Sequence, residues 1–269
     1  MPLSIKDTSA LQAAMVANML THMSYFQSRH TEMAVDQNSD LIIIDSRLAC
    51  DTFNFICRAR LSLETAVSRI QEAVGYFQQV GHPFSWWVSP GDEPATLPAL
   101  LNAAGLSRAE PEPGMAMELS KLPPNISTNG LRIERALSSQ QIADYATVLA
   151  ALWQPPDINV ITFYQRVSEL ALAADCPMRF YVGYIDDQPV ATSELCLAAE
   201  VAGLYNIATL PAYRCKGYGR ALTLQPLFDA LEVGTKIATL QASQAGYSLY
   251  TRIGFESIGL FSEFQPYPK

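Results

Sequence analysis

In the second half of the chain the apolar positions alternate between two periods. Leu131-Arg132-Ile133-Glu134-Arg135 alternates like a half-buried strand, and Ser138 or Ser139 is placed to cap a following helix. Residues Gln140–Trp153 and Val160–Ala173 carry apolar side chains at helical spacing and are separated by Pro155-Pro156. Met178–Ile185, Val190–Ala198 and Ala202–Leu210 have strand character, and the turn Asp186-Asp187-Gln188-Pro189 makes the first two a hairpin. A glycine-bearing loop after Pro211 opens a helix over Gly219–Glu232. A strand (Lys236–Ala242), a helix (Gly246–Ile253) and one or two closing strands (Phe255–Phe264) follow. The order β-α-α-β-β-β-loop-α-β-α-β predicts a mixed α/β domain.

The first half is less regular. It predicts a helix over Ser9–Phe26, strands at Leu41–Ile44 and Phe53–Arg58, and a helix over Leu63–Gln79 begun by Ser62 or Glu64. A strand at Phe84–Val88, a short helix over Leu97–Ala104 ended by Gly105, and a strand at Met115–Leu119 complete it. The two halves share an ending: Leu100–Leu106 parallels Leu249–Phe255, each a short helix stopped by glycine plus an apolar residue. That recurrence suggests an internal duplication. The stretch Leu122–Gly130 concentrates Pro, Asn, Ser and Gly and is the best linker. It divides the chain into two expected domains, 1–125 and 126–269, each long enough for a core of its own.

Composition narrows the partners. Of 269 residues, 49% are hydrophobic and 16% charged, which excludes intrinsic disorder. The formal charge of −8 argues against nucleic acid, which calls for a basic patch. Up to Asn129 there are 8 basic and 13 acidic residues, and from Gly130 there are 10 and 13, so the second half is the less acidic one. The five cysteines are scattered without CxxC spacing, so neither a disulfide scaffold nor a structural zinc site is expected. The N-terminus lacks the unbroken apolar core of a signal peptide, and no stretch of about 20 apolar residues suggests a membrane span. A cytoplasmic, thiol-reduced protein is the expectation. His22, His30 and His82 all lie in the first third, which rules out a Ser-His or Cys-His nucleophile pair drawn wholly from the second half.

The segment richest in chemistry runs from Gly203 to Leu222. An apolar strand leads into Arg214-Cys215-Lys216-Gly217-Tyr218-Gly219, and a helix begins at once. Two glycines let the backbone approach a ligand closely, and the new helix adds unpaired amides and the positive end of its dipole. The combination makes an anion site suited to a pyrophosphate, with Lys216 and Arg220 as supporting cations. The GxxxxGK[ST] pattern of nucleoside triphosphatases is absent. The third glycine and the acidic ribose partner of a dinucleotide fold are missing too.

On these residues the stretch from about Gly130 to Lys269 resembles the GNAT superfamily of acyl-CoA-dependent N-acyltransferases. The Gln/Arg-x-x-Gly-x-Gly/Ala signature of that family reads here as Arg214–Gly219, in a strand–loop–helix setting. A second signature, a tyrosine four residues before Gly-Phe, reads as Tyr250-Thr251-Arg252-Ile253-Gly254-Phe255. The resemblance implies a GNAT fold in the C-terminal half and a related or degenerate α/β domain at the N-terminus, which has no such loop. It implies acetyl-CoA as co-substrate, held in a V-shaped gap between splayed strands, and no metal. The backbone of Ile207, Ala208 and Thr209 would pair with the pantetheine arm, one amide polarising the thioester carbonyl as an oxyanion donor. Arg214, Cys215, Lys216, Gly217, Tyr218, Gly219 and Arg220 would hold the pyrophosphate, and Tyr250 would protonate the leaving thiolate.

Two departures qualify the resemblance. The glutamate base of the histone-modifying branch is replaced by Gly203, so Glu194 is a candidate base, with Tyr205 or Asn206 ordering a water. The asparagine that many members place seven residues before the tyrosine is Ser243 here, which weakens one CoA contact. Cys215 reads as loop rather than nucleophile. The expected function is direct acetyl transfer to the amine of a small-molecule or amino-acid-like acceptor. The alternatives are a non-catalytic acyl-CoA-binding or regulatory module, and transfer of a longer acyl group. A second copy of the chain is admitted as a partner; nucleic acid and membrane are not.

Overall fold

The computed structural model describes residues 3–124, 126–128 and 130–266. Asn125 and Asn129 of the expected linker lie outside the described residues. The chain divides into two compact units, and they do not follow the linear split at residue 125. One comprises the segment through His22 together with Gly114–Ile258; the other comprises Met23–Pro113 and the chain from Gly259. The first helix therefore belongs with the C-terminal half, and most of the last strand with the N-terminal half. Hydrophobic patterning reveals elements but not the unit in which they pack, which accounts for the difference.

The first unit is a mixed sheet of six strands: β6 (Glu112–Glu118), β11 (Ile237–Gln241), β10 (Val201–Thr209), β9 (Gln188–Ala198), β8 (Met178–Ile185) and β7 (Arg132–Arg135), in that spatial order. Only the β10–β11 pair is parallel, and the helix α6 (Tyr218–Glu232) connects those two strands as a crossover. Neighbouring residues on a strand point to opposite faces, and β9 shows what each face holds. Leu195 packs with Leu222, Leu224 and Leu227 of α6 in the main core. Glu194 faces the other way, toward α4 (Ser139–Ala150) and α5 (Ile158–Ala171). Ser138 caps α4 by accepting the Gln141 N–H, as its position predicts, and Asp157 caps α5 through the Asn159 N–H.

Helix α1 (Thr8–Ser24) starts where the Asp7 carboxylate accepts the Ala10 N–H at 3.0 Å. Its Leu11 is buried against Ala116, Val201 and Ile237. Two turns further on, the buried Asn18 amide donates to the carbonyls of Cys196 (2.9 Å), Ala198 (3.0 Å) and Val201 (3.2 Å). These three carbonyls flank the β9–β10 turn, and one side chain serves all of them. Its oxygen accepts the Tyr205 hydroxyl at 2.8 Å.

The second unit has the strand order β1 (Ala34–Gln37), β2 (Ile42–Asp45), β3 (Phe55–Cys57), β4 (Ser85–Val88), then β12 (Glu256–Pro266), which pairs with both β4 and β5 (Leu106–Arg108). The short, half-polar β1 carries too little apolar signal to be foreseen, and the closing segment is one strand. Helices α2 (Ala66–Val80) and α3 (Leu97–Ala103) bury Ile70, Phe77, Leu97 and Leu101 against Ile56, Trp86 and Phe264. The succession β3-α2-β4-α3-β5, with β3 and β4 parallel, repeats β10-α6-β11-α7-β12, where α7 is Gln244–Ile253. Both short helices, α3 and α7, are followed by a glycine in the left-handed region, Gly105 and Gly254. The recurrence seen in sequence is thus part of a larger repeat.

Replacing Asn18 by Leu keeps the branched shape of the side chain but strands three carbonyls and the Tyr205 hydroxyl. We expect a loss of about 2–3 kcal/mol in urea unfolding, the cost of leaving buried polar groups unpaired. A change below about 0.5 kcal/mol would show the amide to be dispensable.

Candidate active site

Strand β10 is paired to β11 only at Ala202–Ala238 and Gly203–Thr239. Beyond Gly203 the two strands part, while β11 stays paired to β6 through Gln241. On its other side β10 remains paired to β9, with its register broken between Tyr205 and Ala208. Asn206 sits in that bulge at φ +50°, a left-handed conformation that asparagine tolerates better than most residues. Its carbonyl accepts the Thr192 hydroxyl at 3.1 Å, which pins the bulge to β9. The bulge leaves Ile207, Ala208 and Thr209 on a stretch of backbone with no strand partner on the β11 side among the described residues. Across the gap, at the end of β11, the Gln241 Nε2 is buried and finds no hydrogen-bond partner among the described residues.

After β10 the chain makes a 3₁₀ turn (Pro211–Tyr213) and then two left-handed residues, Cys215 (φ +62°) and Gly217 (φ +85°). Gly217 is the N-cap of α6. Left-handed residues separated by one ordinary residue turn successive N–H groups to one side, the geometry of an anion nest. The Arg214 Nε donates to the Thr209 carbonyl at 3.1 Å and ties the loop back to the strand end. The Lys216 ammonium lies 5.1 Å from the Tyr213 ring centroid. Arg214 to Gly217 are exposed, and Tyr218 is buried as the first core residue of α6.

Helix α7 lies beside the start of α6. A Cβ built on Gly219 would stand 3.6 Å from the Leu249 side chain and 4.0 Å from Thr209 Oγ1. Strand end, loop and α7 therefore converge there. Tyr250 is buried and lies over the glycine one turn earlier, where a Cβ on Gly246 would come within 2.6 Å of its ring. Ser243 is the N-cap of α7, its Oγ accepting the Gly246 N–H at 3.3 Å.

On the opposite face of the sheet the candidate base Glu194 comes together with Tyr205 and Asn206, the two residues expected to order a water. Glu194 is 1% exposed. Its Oε2 accepts from Asn206 Nδ2 (3.0 Å), the Tyr145 hydroxyl (3.1 Å) and the Tyr164 hydroxyl (3.4 Å). Its Oε1 stands 3.4 Å from His22 Nε2. Burial, reinforced by the nearby Glu194 carboxylate, pushes both tyrosine hydroxyls well above the ordinary tyrosine range. They therefore stay protonated donors to the carboxylate. Tyr205 plays a different part: its hydroxyl goes to Asn18, and its ring stacks on His22 at 3.8 Å between centroids and 6° between planes.

Asn18, His22, Tyr145 and Tyr164 were not foreseen from sequence. A signal for two of them exists in α1, where Leu11, Met15, Asn18 and His22 fall on one stripe at i, i+4, i+7 and i+11. Polar residues on an otherwise apolar stripe mark a buried partner. The same contact explains Gly203. A Cβ there would stand 1.9 Å from Asn18 Oδ1 and 2.8 Å from the Tyr205 ring. A glutamate base at this position is sterically incompatible with α1 as it packs.

With this geometry in hand, the comparisons are specific. Residues 177–257 match the family model described as an acetyltransferase (GNAT) domain, and the gap, the loop and Tyr250 all lie within the matched residues. Over nearly its whole length the chain shares its fold with solved structures. A GCN5-related N-acetyltransferase from Kribbella flavida is 15% identical with a TM-score of 0.69, over 94% of this chain and 96% of its own. A GCN5-related N-acetyltransferase from Sphaerobacter thermophilus is 13% identical at 0.62, over 98% and 93%. A tandem GNAT protein from the clavulanic acid biosynthesis pathway is 12% identical at 0.58, over 100% and 98%. No curated protein is similar enough in sequence to add to this comparison.

Gly203→Ala is expected to destabilise the fold by about 1–3 kcal/mol through overpacking. Introducing the same change into an Asn18→Ala background should cost measurably less, because the clashing oxygen is gone. Equal costs in both backgrounds, measured by denaturant titration, would locate the strain elsewhere.

Proposed function

We propose that the protein transfers the acetyl group of acetyl-CoA directly to the amine of a small-molecule or amino-acid-like acceptor, in the cytoplasm. The observation that carries this reading is the unpaired edge of β10 beyond Gly203, running straight into the left-handed loop at the start of α6. The edge supplies backbone groups to an extended amide-bearing chain, and the loop supplies N–H groups to a diphosphate. In this reading the backbone of Ile207, Ala208 and Thr209 pairs with the pantetheine arm. One of those amides meets the negative charge that develops on the thioester oxygen. The buried, unpaired Gln241 amide suits an acceptor group of the same arm. The amides of Cys215 to Arg220 hold the pyrophosphate, with Lys216 and Arg220 adding charge at the helix N-terminus. Tyr250 gives its proton to the departing thiolate, and Ser243 contributes through the N-terminus of α7 that it caps.

A second reading has an observation in its favour: Asn18 closes the position where a glutamate base would stand. A non-catalytic acyl-CoA-binding module would need none. Thermal shift with acetyl-CoA followed by thiol release over a panel of amines separates the two. Stabilisation with release supports transfer, stabilisation without release supports the binding module, and no stabilisation removes both.

Gly217→Glu should weaken acetyl-CoA binding by about 100-fold or more, since it puts a carboxylate and a strained left-handed side chain into the nest. Retained affinity in calorimetry would refute the loop assignment. Tyr250→Phe should lower kcat by about 10–100-fold while acetyl-CoA affinity changes less than about threefold. An unchanged kcat would take Tyr250 out of the mechanism.

A further inference from the structure

We propose that His22 is the group that takes the acceptor's proton, and that Glu194 acts through it as a positioning residue. This rests on the acetyl-transfer reading above. Glu194 is enclosed: three donors converge on Oε2, and the residue is 1% exposed. Reaching a substrate would break that set. His22 is a basic and partly accessible member of the cluster, with its side chain 20% exposed and Nε2 3.4 Å from Glu194 Oε1. That separation is long for a hydrogen bond, and catalytic contacts often tighten only when substrate is bound.

The imidazole is also held on its face. Its face lies flat on Tyr205, and the Tyr205 hydroxyl is fixed by Asn18, one turn earlier on the helix that carries His22. The cluster also reaches the proposed reaction centre. Asn206, bonded to Glu194 Oε2 at 3.0 Å, is the bulge residue immediately before Ile207. Carboxylate, imidazole and bulge thus form one connected set on β9, β10 and α1. Meanwhile Gly203, the other position from which a base would be drawn, has no room for one.

With Nε2 turned to Glu194, the basic lone pair of a neutral His22 lies on Nδ1. The neutral amine attacks the thioester carbon, a C–N bond forms and the C–S bond breaks. The proton from the amine nitrogen passes to His22 Nδ1, giving an imidazolium whose charge is faced by the Glu194 carboxylate. The thiolate takes its proton from Tyr250. His22 then returns its proton to solvent and Tyr250 regains one, so the sum is amine plus acetyl-CoA to amide plus CoA thiol.

The test compares wild type, His22→Ala, His22→Gln and Glu194→Gln by acetyl-CoA thermal shift. Steady-state kinetics on the best amine of the panel follow, with and without added imidazole. We expect His22→Ala to lower kcat by about 100-fold with the acetyl-CoA shift intact, and imidazole to restore about tenfold. His22→Gln, which keeps a polar side chain facing Glu194 but has no base, should melt like wild type and be as slow as His22→Ala. Glu194→Gln should lower kcat with little change in acetyl-CoA affinity. A His22→Ala kcat within about threefold of wild type, or recovery of activity by His22→Gln without imidazole, would overturn the proposal and leave the acetyl-transfer reading standing. A wild type that neither binds acetyl-CoA nor releases thiol overturns the reading itself, and this proposal with it.

Discussion

A strand inside a sheet has hydrogen-bonding groups on both edges, and buried backbone groups are almost always paired. Strand β10 meets that demand on the β9 side before and after its bulge, but on the β11 side only at Ala202 and Gly203. Everything distinctive about the first unit is arranged around the edge this leaves. The bulge at Asn206 turns β10 away from β11 without detaching it from β9. The Thr192 hydroxyl holds that bulge, and Arg214 returns to the Thr209 carbonyl so that the following loop cannot drift from the strand end. Glycine is required at Gly217, where the backbone is left-handed at the first capping position of α6. The parted edge and the nest are then two ends of one continuous feature.

The segments that complete the units come from far away in sequence. Helix α1 serves the unit built mainly from the C-terminal half, and the chain from Gly259 serves the other. In each unit the strand beyond the βαβ crossover comes from elsewhere in the chain: β6 lies next to β11, and β12 lies next to β4. A chain cut at the linker would thus leave each half without a strand or helix that its core uses. The repeat explains why two units of this kind arise in one chain. The exchange explains why a linear boundary describes them poorly.

The strand and helix succession of the second half was legible because its apolar residues follow clear periods and its turns carry Gly and Pro. The loop was legible because Arg214–Gly219 combines residue types with few other uses between a strand and a helix. The buried cluster was legible only in part. Glu194 and Asn206 are polar residues inside apolar strand patterns, which marks them at once. Asn18 and His22 leave a trace as polar residues on an apolar stripe of α1, whereas Tyr145 and Tyr164 are ordinary on helix faces, and only the packing of α4 and α5 onto this strand pair makes them partners. The exchange of terminal segments left no local trace at all, since it is a choice among packings of the same elements.

Asn18 and Gly203 are best understood together. An amide that satisfies three carbonyls around the β9–β10 turn must approach the strand closely, and only a residue without Cβ permits that approach. A carboxylate on β10 at this point and a helix clamped over the turn therefore exclude one another. The buried carboxylate of this face stands instead on β9, opposite Tyr205 in register, where α4, α5 and α1 close over it. A charge so enclosed is tolerated only with donors around it, and Tyr145, Tyr164 and Asn206 provide them. The enclosure that makes Glu194 admissible also separates it from anything in solvent. In the proposed mechanism its influence passes through a neighbour that is partly exposed, and α1 brings His22 to that place by the same packing that excluded a side chain at Gly203.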